Sequence, residues 1–273
     1  MKFHYINYSD QNYKRSQFIA IISARIMGAF DSINSMGPEN IPKKFKLKYK
    51  KILSQKKGGG FWIWKPIILL NKLKEIDYGD YIFYTDCGVI FISNPEQLIF
   101  EMKKIKQDIC GFETPFIEKQ FTKYKLFKNM NLLSKKYTDS NQIIGSFILI
   151  KKSKFAIKFL NEILEICLNP ENITDKNSFG CKGDFQFMGH RHDQSIFSLL
   201  YKKYNLISMK DPSQYGQNYT AYGKKNFKPK PGSLYKLSNE LLFRYNPKKQ
   251  KYKPIIFQYR RNLLISLFRY LIL

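Results

Sequence analysis

An apolar strand that ends in an acidic residue most constrains how this chain can fold. The run from Tyr81 to Tyr84 is apolar, as in a buried strand, and Asp86 and Gly88 follow directly. In open α/β sheets, ligands bind outside the carboxyl ends of the strands. We therefore expect Asp86 at a sheet edge, where its carboxylate can hold a metal ion or a sugar hydroxyl. A turn aspartate that bonds its own backbone is the alternative.

A glycine-rich segment that contains both tryptophans of the chain precedes this strand. It reads GGGFWIWKP from Gly58 to Pro66, and its tryptophans are Trp62 and Trp64. Glycines let the backbone approach a ligand closely, and tryptophan rings can stack on a base or a sugar face. Lys65 can act as a point charge on phosphate. The alternative is an aromatic packing cluster with a solvated lysine.

A third segment, residues 189–195, holds two of the three histidines in the chain. His190, His192, Asp193 and Gln194 stand just before an apolar helical pattern. Imidazole binds metal or moves protons, and acid and amide groups at a helix start suit a site that grips sugar hydroxyls or stabilises charge. Asp193 is also a natural helix N-cap, so a structural role is the alternative.

Strand-like and helix-like patterns alternate along the first part of the chain, which predicts an α/β fold. The predicted strands are residues 2–8, 81–86, 109–113 and 142–150. The predicted helices are residues 13–27, a segment from Asn40 to the glycines at 58–60, and residues 66–76, 95–106, 153–167 and 193–204.

The composition indicates one large domain with an extension. The chain has 273 residues, of which 44% are hydrophobic, so it can bury a sizeable core. After Asp211, prolines interrupt the pattern, with tyrosines and lysines between them. We therefore expect a catalytic domain at residues 1–210 and a basic C-terminal extension at residues 211–273 that packs on it.

The charge of the chain is strongly basic, with 47 Lys and Arg against 21 Asp and Glu and a net charge of +26. This excess suggests an anionic partner: nucleic acid, an anionic membrane or a phosphorylated substrate. A compositional bias typical of an AT-rich genome accounts for part of it. Residues 260–273 are mostly apolar and contain three arginines. We expect them to form either a helix at a membrane interface or a terminal helix docked on the domain.

Cysteine usage and the missing targeting signals predict a cytoplasmic location, on or near the inner face of the membrane. The four cysteines form no CxxC pair, which favours a reducing compartment. No signal peptide is evident at the N-terminus, and no segment is long and apolar enough to cross a bilayer. The chain also lacks a GxxxxGK[ST] loop, a GxGxxG fingerprint and a GxSxG elbow, which argues against three common enzyme classes.

Taken together, the three segments resemble a family of GT-A-type glycosyltransferases. Members of that family carry a G-[FY]-W-x-W-K-P segment, an apolar strand that ends in an Asp-x-Gly variant of the DxD motif, and a later His-Asp-Gln segment. The order and spacing agree from about residue 2 to residue 204. The resemblance implies a GT-A-like, Rossmann-like mixed sheet flanked by helices. It also implies sugar transfer from a nucleotide-diphosphate donor to a hydroxyl of a surface-glycan or glycolipid acceptor.

The resemblance also implies roles for individual residues. Asp86 and Gly88 would occupy the DxD position at the metal or the donor ribose. Lys65, with Arg25 as a weaker candidate, would lie near the diphosphate. Asp193 and Gln194 would approach the transferred sugar. His190 or His192 would complete a metal shell. Trp62 and Trp64, whose rings can stack on a base or a sugar face, are the further candidates for donor binding.

One departure from the family pattern leaves the cofactor open. Gly88 stands where a full DxD motif has its second aspartate, so Mn²⁺ or Mg²⁺ would have one carboxylate in place of two. The sequence leaves open whether transfer retains or inverts the anomeric configuration. The rival hypotheses are a basic nucleic-acid-binding protein and a degenerate relative that binds sugar without reacting. Nucleic acid is disfavoured because the basic residues are not concentrated with aromatics in one motif.

Overall fold

The computed structural model describes residues 1–27, 29–181, 187–213 and 242–244. The strands are β1 (Phe3–Tyr8), β2 (Ser32–Met36), β3 (Tyr81–Asp86), β4 (Val89–Phe91), β5 (Ile109–Cys110), β6 (Phe112–Ile117), β7 (Asn141–Ile143), β8 (Phe147–Lys151), β9 (Met209–Lys210) and β10 (Leu242–Arg244). The helices are α1 (Lys14–Met27), α2 (Lys43–Lys48), α3 (Lys50–Leu53), α4 (Gly58–Phe61), α5 (Trp64–Glu75), α6 (Gln97–Lys104), α7 (Glu118–Phe121), α8 (Tyr124–Met130), α9 (Lys135–Thr138), α10 (Lys154–Leu168), α11 (Pro170–Ile173) and α12 (His192–Lys203).

A five-stranded mixed sheet organises the domain, in the order β2-β1-β3-β8-β5. β1 pairs in parallel with β2 and β3, whereas β8 runs antiparallel to β3 and β5. Tyr8 stands opposite Asp86, so the carboxyl ends of β1 and β3 lie at one edge, and the amino end of β8 joins them there. The predicted mixed α/β sheet is confirmed.

Side chains of the central strands are buried on both faces of this sheet. Ile82 and Tyr84 pack into one apolar cluster, and Tyr81 and Phe83 pack into the other, as the two-residue period of a strand requires. Helices α5, α10 and α12 pack side chains into the first cluster, and α6 packs Leu98, Ile99 and Met102 into the second. This double coverage explains why β3 reads as a continuous apolar run.

Two smaller sheets complete the described structure. β6 lies between β7 and β9, and β4 pairs with β10 in antiparallel register from Val89–Arg244 to Phe91–Leu242. β10 belongs to the segment that we predicted as an extension. The predicted helix at residues 260–273 lies outside the described residues, and the division into 1–210 and 211–273 stays a prediction. None of the helices in the described ranges is long and apolar enough to cross a bilayer.

Several elements differ from the sequence-based expectation. The strand predicted at residues 109–113 is divided into β5 and β6, and the short helices α7, α8, α9 and α11 were not predicted. The strand predicted at residues 142–150 is divided into β7 and β8. Strand pairing stops between them, where the backbone N–H of Gly145 donates to the side chain of Gln194. The edge strand β2 was not predicted, since its sequence SINSM lacks a continuous apolar run and only Met36 is buried. The helix expected from Asn40 begins instead at Lys43 and divides at Tyr49.

Candidate active site at the carboxyl edge of the sheet

Five chain segments meet at the edge of the sheet where β1 and β3 end. They are the last residues of β1 and β3, the loop at 144–146 before β8, and the starts of α5 and α12. The backbone N–H of Asp86 donates to the carbonyl of Ser146 (2.7 Å), which ties the end of β3 to that loop. The predicted segments around Lys65, Asp86 and Asp193 thereby come together.

Lys65 is the centre of this arrangement. Its Nζ donates to Oδ2 of Asp193 at 2.5 Å and to the carbonyl oxygen of Gly145 at 2.9 Å. The same ammonium lies 3.8 Å from Oδ1 of Asp86. The second residue of α5 therefore bridges the end of β3 and the start of α12. With both carboxylates ionised, the three side chains carry one surplus negative charge.

Burial makes the ion pair between Lys65 and Asp193 strong and costly to disturb. The side chain of Lys65 is 6% exposed and that of Asp193 is 10% exposed. Burial raises the pKa of Asp193 to about 6, although the charge and hydrogen bond of Lys65 pull it down. Burial alone would lower the pKa of Lys65, but Asp193 and Asp86 outweigh it, so this pKa lies above its usual value. Lys65 and Asp193 also line a cavity together with apolar side chains that include Leu69 and Phe197.

Asp86 is the accessible carboxylate of the group, with 36% of its side chain exposed. The hydroxyl of Tyr84 donates to its Oδ1 at 2.5 Å. Burial and the neighbouring Asp86 raise the pKa of Tyr84 well above its usual value, so the phenol keeps the proton that it donates. Oδ2 of Asp86 accepts no hydrogen bond in the part of the chain that the structure describes. Asp86 therefore has one oxygen held and one oxygen free to meet a ligand.

A left-handed turn delivers Lys65 to this position. Residues 58–62 all have positive φ, including Phe61 at 55° and Trp62 at 61°. Such a conformation is unfavourable for residues with a Cβ, so strong local packing must impose it. Part of that packing is close backbone contact, because a Cβ on Gly60 would lie 2.9 Å from the Cα of Leu53.

Alanine at Gly60 is expected to cost about 1 to 3 kcal/mol more in free energy of unfolding than alanine at Gly79. Both glycines have similar positive φ, 93° and 89°. A Cβ at Gly79 meets nothing within 4 Å, whereas at Gly60 it meets backbone that cannot move aside. Chemical denaturation of the two variants compares them directly, and equal losses would show that the turn is not tightly packed.

The two tryptophans serve mainly to build this turn. Trp64 is buried, stacks on Tyr8 with ring centres 3.7 Å apart, and donates from Nε1 to the carbonyl of Gly58. Its ring therefore has no exposed face for a donor, contrary to the prediction. Trp62 is half-buried and stacks on the ring of His192 at 5.5 Å. Of the two, Trp62 keeps the larger accessible surface.

The structure gives the histidines packing roles in place of the predicted metal shell. Nε2 of His190 donates to the carbonyl of Asn172 (2.7 Å), and its Nδ1 accepts from the backbone N–H of Lys123 (3.5 Å). His192 donates from Nδ1 to the carbonyl of Ile173 (2.6 Å). Its buried Nε2 lies 3.6 Å from Oδ1 of Asp175 and has no hydrogen-bond partner among the described residues. Burial lowers the pKa of both rings, so both are neutral. They hold the start of α12 rather than facing Asp86.

Arg25 lies at the wrong edge of the sheet for the predicted role at a diphosphate. Helix α1 starts after Tyr8, at the edge that holds Asp86, and returns along the sheet. Beyond its end, the backbone N–H of Asp31 donates to the carbonyl of Phe3 at the opposite end of β1. A helix that follows a parallel strand must run back in this way, so its last turn cannot reach the carboxyl edge.

Gln194 positions the loop that holds Lys65. Its Oε1 accepts from the backbone N–H of Gly145 (3.1 Å), and its Nε2 donates to Oε1 of Gln142 (2.7 Å). Gln142 in turn donates to the buried carboxylate of Glu118 (3.0 Å), which fixes the orientation of its amide. Sequence reasoning missed Gln142, Gly145 and Glu118. The one available signal was the glycine inside the apolar run at 142–150.

The fold of this chain is similar to that of several glycosyltransferases of known structure. The structure matches mouse xyloside xylosyltransferase 1 in its apo form (TM-score 0.50, 10% identity, 92% of this chain and 100% of that chain). It matches the galactosyltransferase LgtC in complex with donor and acceptor sugar analogues (0.50, 13%, 89% and 87%). The chain has a GT-A fold. It also matches the glycosyltransferase GlyE of Streptococcus pneumoniae TIGR4 (0.50, 15%, 95% of this chain and 60% of that chain). No protein-family model and no curated protein sequence matches it.

The side chains at this site could provide one carboxylate to a metal ion whose other ligands come from a bound phosphate and water. Among the residues described, no three His, Cys, Asp or Glu side chains lie close enough together to bind one metal ion. The free oxygen of Asp86 fits the single protein ligand of a Mg²⁺ or Mn²⁺ ion that substrate phosphates and water otherwise hold. The surplus negative charge around Lys65 favours a cation there. His190 and His192 do not join this set.

Proposed function

We propose that this protein is a glycosyltransferase. It moves a sugar from a nucleotide-diphosphate donor to a hydroxyl of a surface-glycan or glycolipid acceptor. The observation that carries the proposal is the bridge from Lys65 to Asp193 and Asp86, at the sheet edge where ligands of α/β folds bind. The fold shared with glycosyltransferases supports it.

The geometry divides the work between the two carboxylates. Asp86 is accessible and is proposed to contact the donor ribose or the metal ion of the donor complex. Asp193 is buried against Lys65 and is proposed to act at the transferred sugar, either on the acceptor hydroxyl or at the anomeric centre. Lys65 keeps Asp193 ionised at neutral pH and lies near the proposed position of the diphosphate. Gln194 acts as a positioning residue through Gly145.

A divalent cation would reach the site as a nucleotide complex. When bound, it would offset the negative charge that develops on the leaving nucleoside diphosphate. Asp86 is the one described side chain suited to hold it. The protein alone should therefore bind Mn²⁺ weakly, and nucleotide and Mn²⁺ should strengthen each other's binding, since coupling between two ligands is reciprocal.

A nucleotide-binding screen tests this proposal. One nucleoside diphosphate of a panel should raise the melting temperature, because a ligand that binds the native state stabilises it. Mn²⁺ should tighten that binding by about tenfold or more, the size of one charge-assisted contact. Asp86→Asn should keep the melting temperature of the free protein and lose the gain from Mn²⁺. The absence of binding across the panel would contradict the proposal.

The acceptor and the cellular location are part of the same proposal. We propose that transfer takes place at the cytoplasmic face of a membrane, on a glycan or glycolipid hydroxyl. The basic character of residues 223–273, with 13 Lys and Arg and one acid, supports this placement.

A further inference from the structure

A dense set of lysines covers the two short helices that precede the glycine turn. We call residues 43–57 the lysine face, since eight of these fifteen residues are lysines and none is acidic. All of these lysines except the half-buried Lys46 are exposed. The nearest acids along the chain are Glu39 and Glu75. Among the described residues, no other stretch of fifteen that lies apart from this one holds as many Lys and Arg residues.

Little on the protein can neutralise this charge. Within the described ranges, Lys57 is the one lysine of the face that forms an ion pair, with Asp175 at 2.8 Å. The residues outside those ranges contain two acids, Asp184 and Glu240. The C-terminal segment is itself basic, so it is electrostatically unsuited to cover the lysine face. An anionic surface from outside the chain is the complementary partner.

The apolar residues of the face divide into two groups. Phe45, Ile52 and Leu53 pack against the core and fix the orientation of α2 and α3. Leu47 points the other way and is 69% exposed among the lysines. An exposed apolar side chain within a basic surface is typical of segments that lie in the interface of an anionic bilayer. All the cations are lysines, whereas sequence-reading contacts with nucleic acid favour arginine.

We propose that the lysine face docks on an anionic phospholipid bilayer, with Leu47 entering the headgroup region. The close contact of Gly60 with the backbone of Leu53 joins this face rigidly to the turn that carries Trp62 and Lys65. Docking therefore holds the candidate active site beside the membrane. This docking surface would explain how the proposed membrane location arises. Vesicle binding itself does not require that the protein is a glycosyltransferase, but the benefit of holding the site near lipid rests on the proposed function.

Vesicle co-sedimentation of the full chain tests the docking without any transfer assay. The wild type should bind vesicles of phosphatidylcholine with phosphatidylglycerol, should bind pure phosphatidylcholine weakly, and should lose binding as salt rises. The test variant replaces five exposed lysines of the face with glutamine: Lys43, Lys44, Lys48, Lys50 and Lys51. The matched control makes the same change on helices elsewhere: Lys74, Lys103, Lys135, Lys154 and Lys158.

The test variant is expected to bind anionic vesicles at least about tenfold more weakly than the wild type, while the control changes less than about twofold. Leu47→Gln should weaken vesicle binding and leave binding to a single-stranded RNA unchanged. Equal binding by the test variant and the control would overturn the proposal, as would the failure of the wild type to prefer anionic vesicles. If Leu47→Gln changes the binding of neither vesicles nor RNA, the proposed entry of Leu47 into the bilayer is wrong. Nucleotide binding in the same preparations shows separately whether the proposed function holds.

Discussion

Replacement of Lys65 with methionine is expected to lower the free energy of unfolding by about 3 to 5 kcal/mol. Methionine fills a similar volume but leaves the carboxylate of Asp193 buried without its partner. The carbonyl of Gly145 loses a hydrogen bond as well. The measurement is chemical denaturation at alkaline pH, because loss of Lys65 raises the pKa of Asp193 further above its wild-type value of about 6. The loss should shrink as the pH falls, because protonation of Asp193 removes the uncompensated charge.

A double variant separates the cost of a lone charge from the value of the pair. Lys65→Met with Asp193→Leu removes both charges and places apolar side chains beside the existing cavity of Leu69 and Phe197. Replacement of a buried ion pair by apolar residues is often neutral for stability, so the double variant should regain most of the loss. It should still be inactive in transfer. Additive losses would show that the two side chains do not form the coupled pair described here.

Replacement of Asp193 with asparagine is expected to lower kcat by about 10²- to 10⁴-fold, the usual contribution of a general acid or base. Asparagine has nearly the same shape, and its amide oxygen can still accept from Lys65, so nucleotide binding should change little. Wild-type kcat should rise with pH through about 6, because the raised pKa of Asp193 makes its reactive carboxylate form above that pH.

A matched change tests whether the effect belongs to the site. Asp108 precedes β5, whose amino end lies at the sheet edge opposite Asp86. Asp108→Asn makes the same chemical change there and should leave both kcat and the pH profile as in the wild type. A wild-type profile that is flat through this range, or an Asp193→Asn variant with unchanged kcat, would remove Asp193 from the reaction.

The sequence predicted the features that local patterns encode. β3 with Asp86 at its end follows from an apolar run that stops at a polar turn. Helix α10 follows from apolar spacing and from Ser153, whose side chain accepts from the backbone N–H of Ala156. Three separate segments were assigned to one site from the family resemblance, and the structure brings Lys65, Asp86 and Asp193 within contact.

The features that the sequence did not predict depend on contacts between distant segments. The link from Gln142 through Gln194 to Gly145 joins residues about fifty positions apart, and no local period signals it. The residue type of His190 suggests a metal ligand, but backbone groups of other segments use both of its nitrogens. The charge of Arg25 suggests a role at a diphosphate, but the direction in which α1 runs places this residue at the opposite edge of the sheet.

The most direct test of sugar transfer at this edge is the release of nucleoside diphosphate from a panel of nucleotide sugars by the wild type, Asp86→Asn and Asp193→Asn. We expect the wild type to turn over one donor class when Mn²⁺ and a glycan or glycolipid acceptor extract are present. Both variants should remain folded and lose at least about 10²-fold in rate. Turnover that survives in both variants, or no turnover by the wild type with any donor, would contradict sugar transfer at this site.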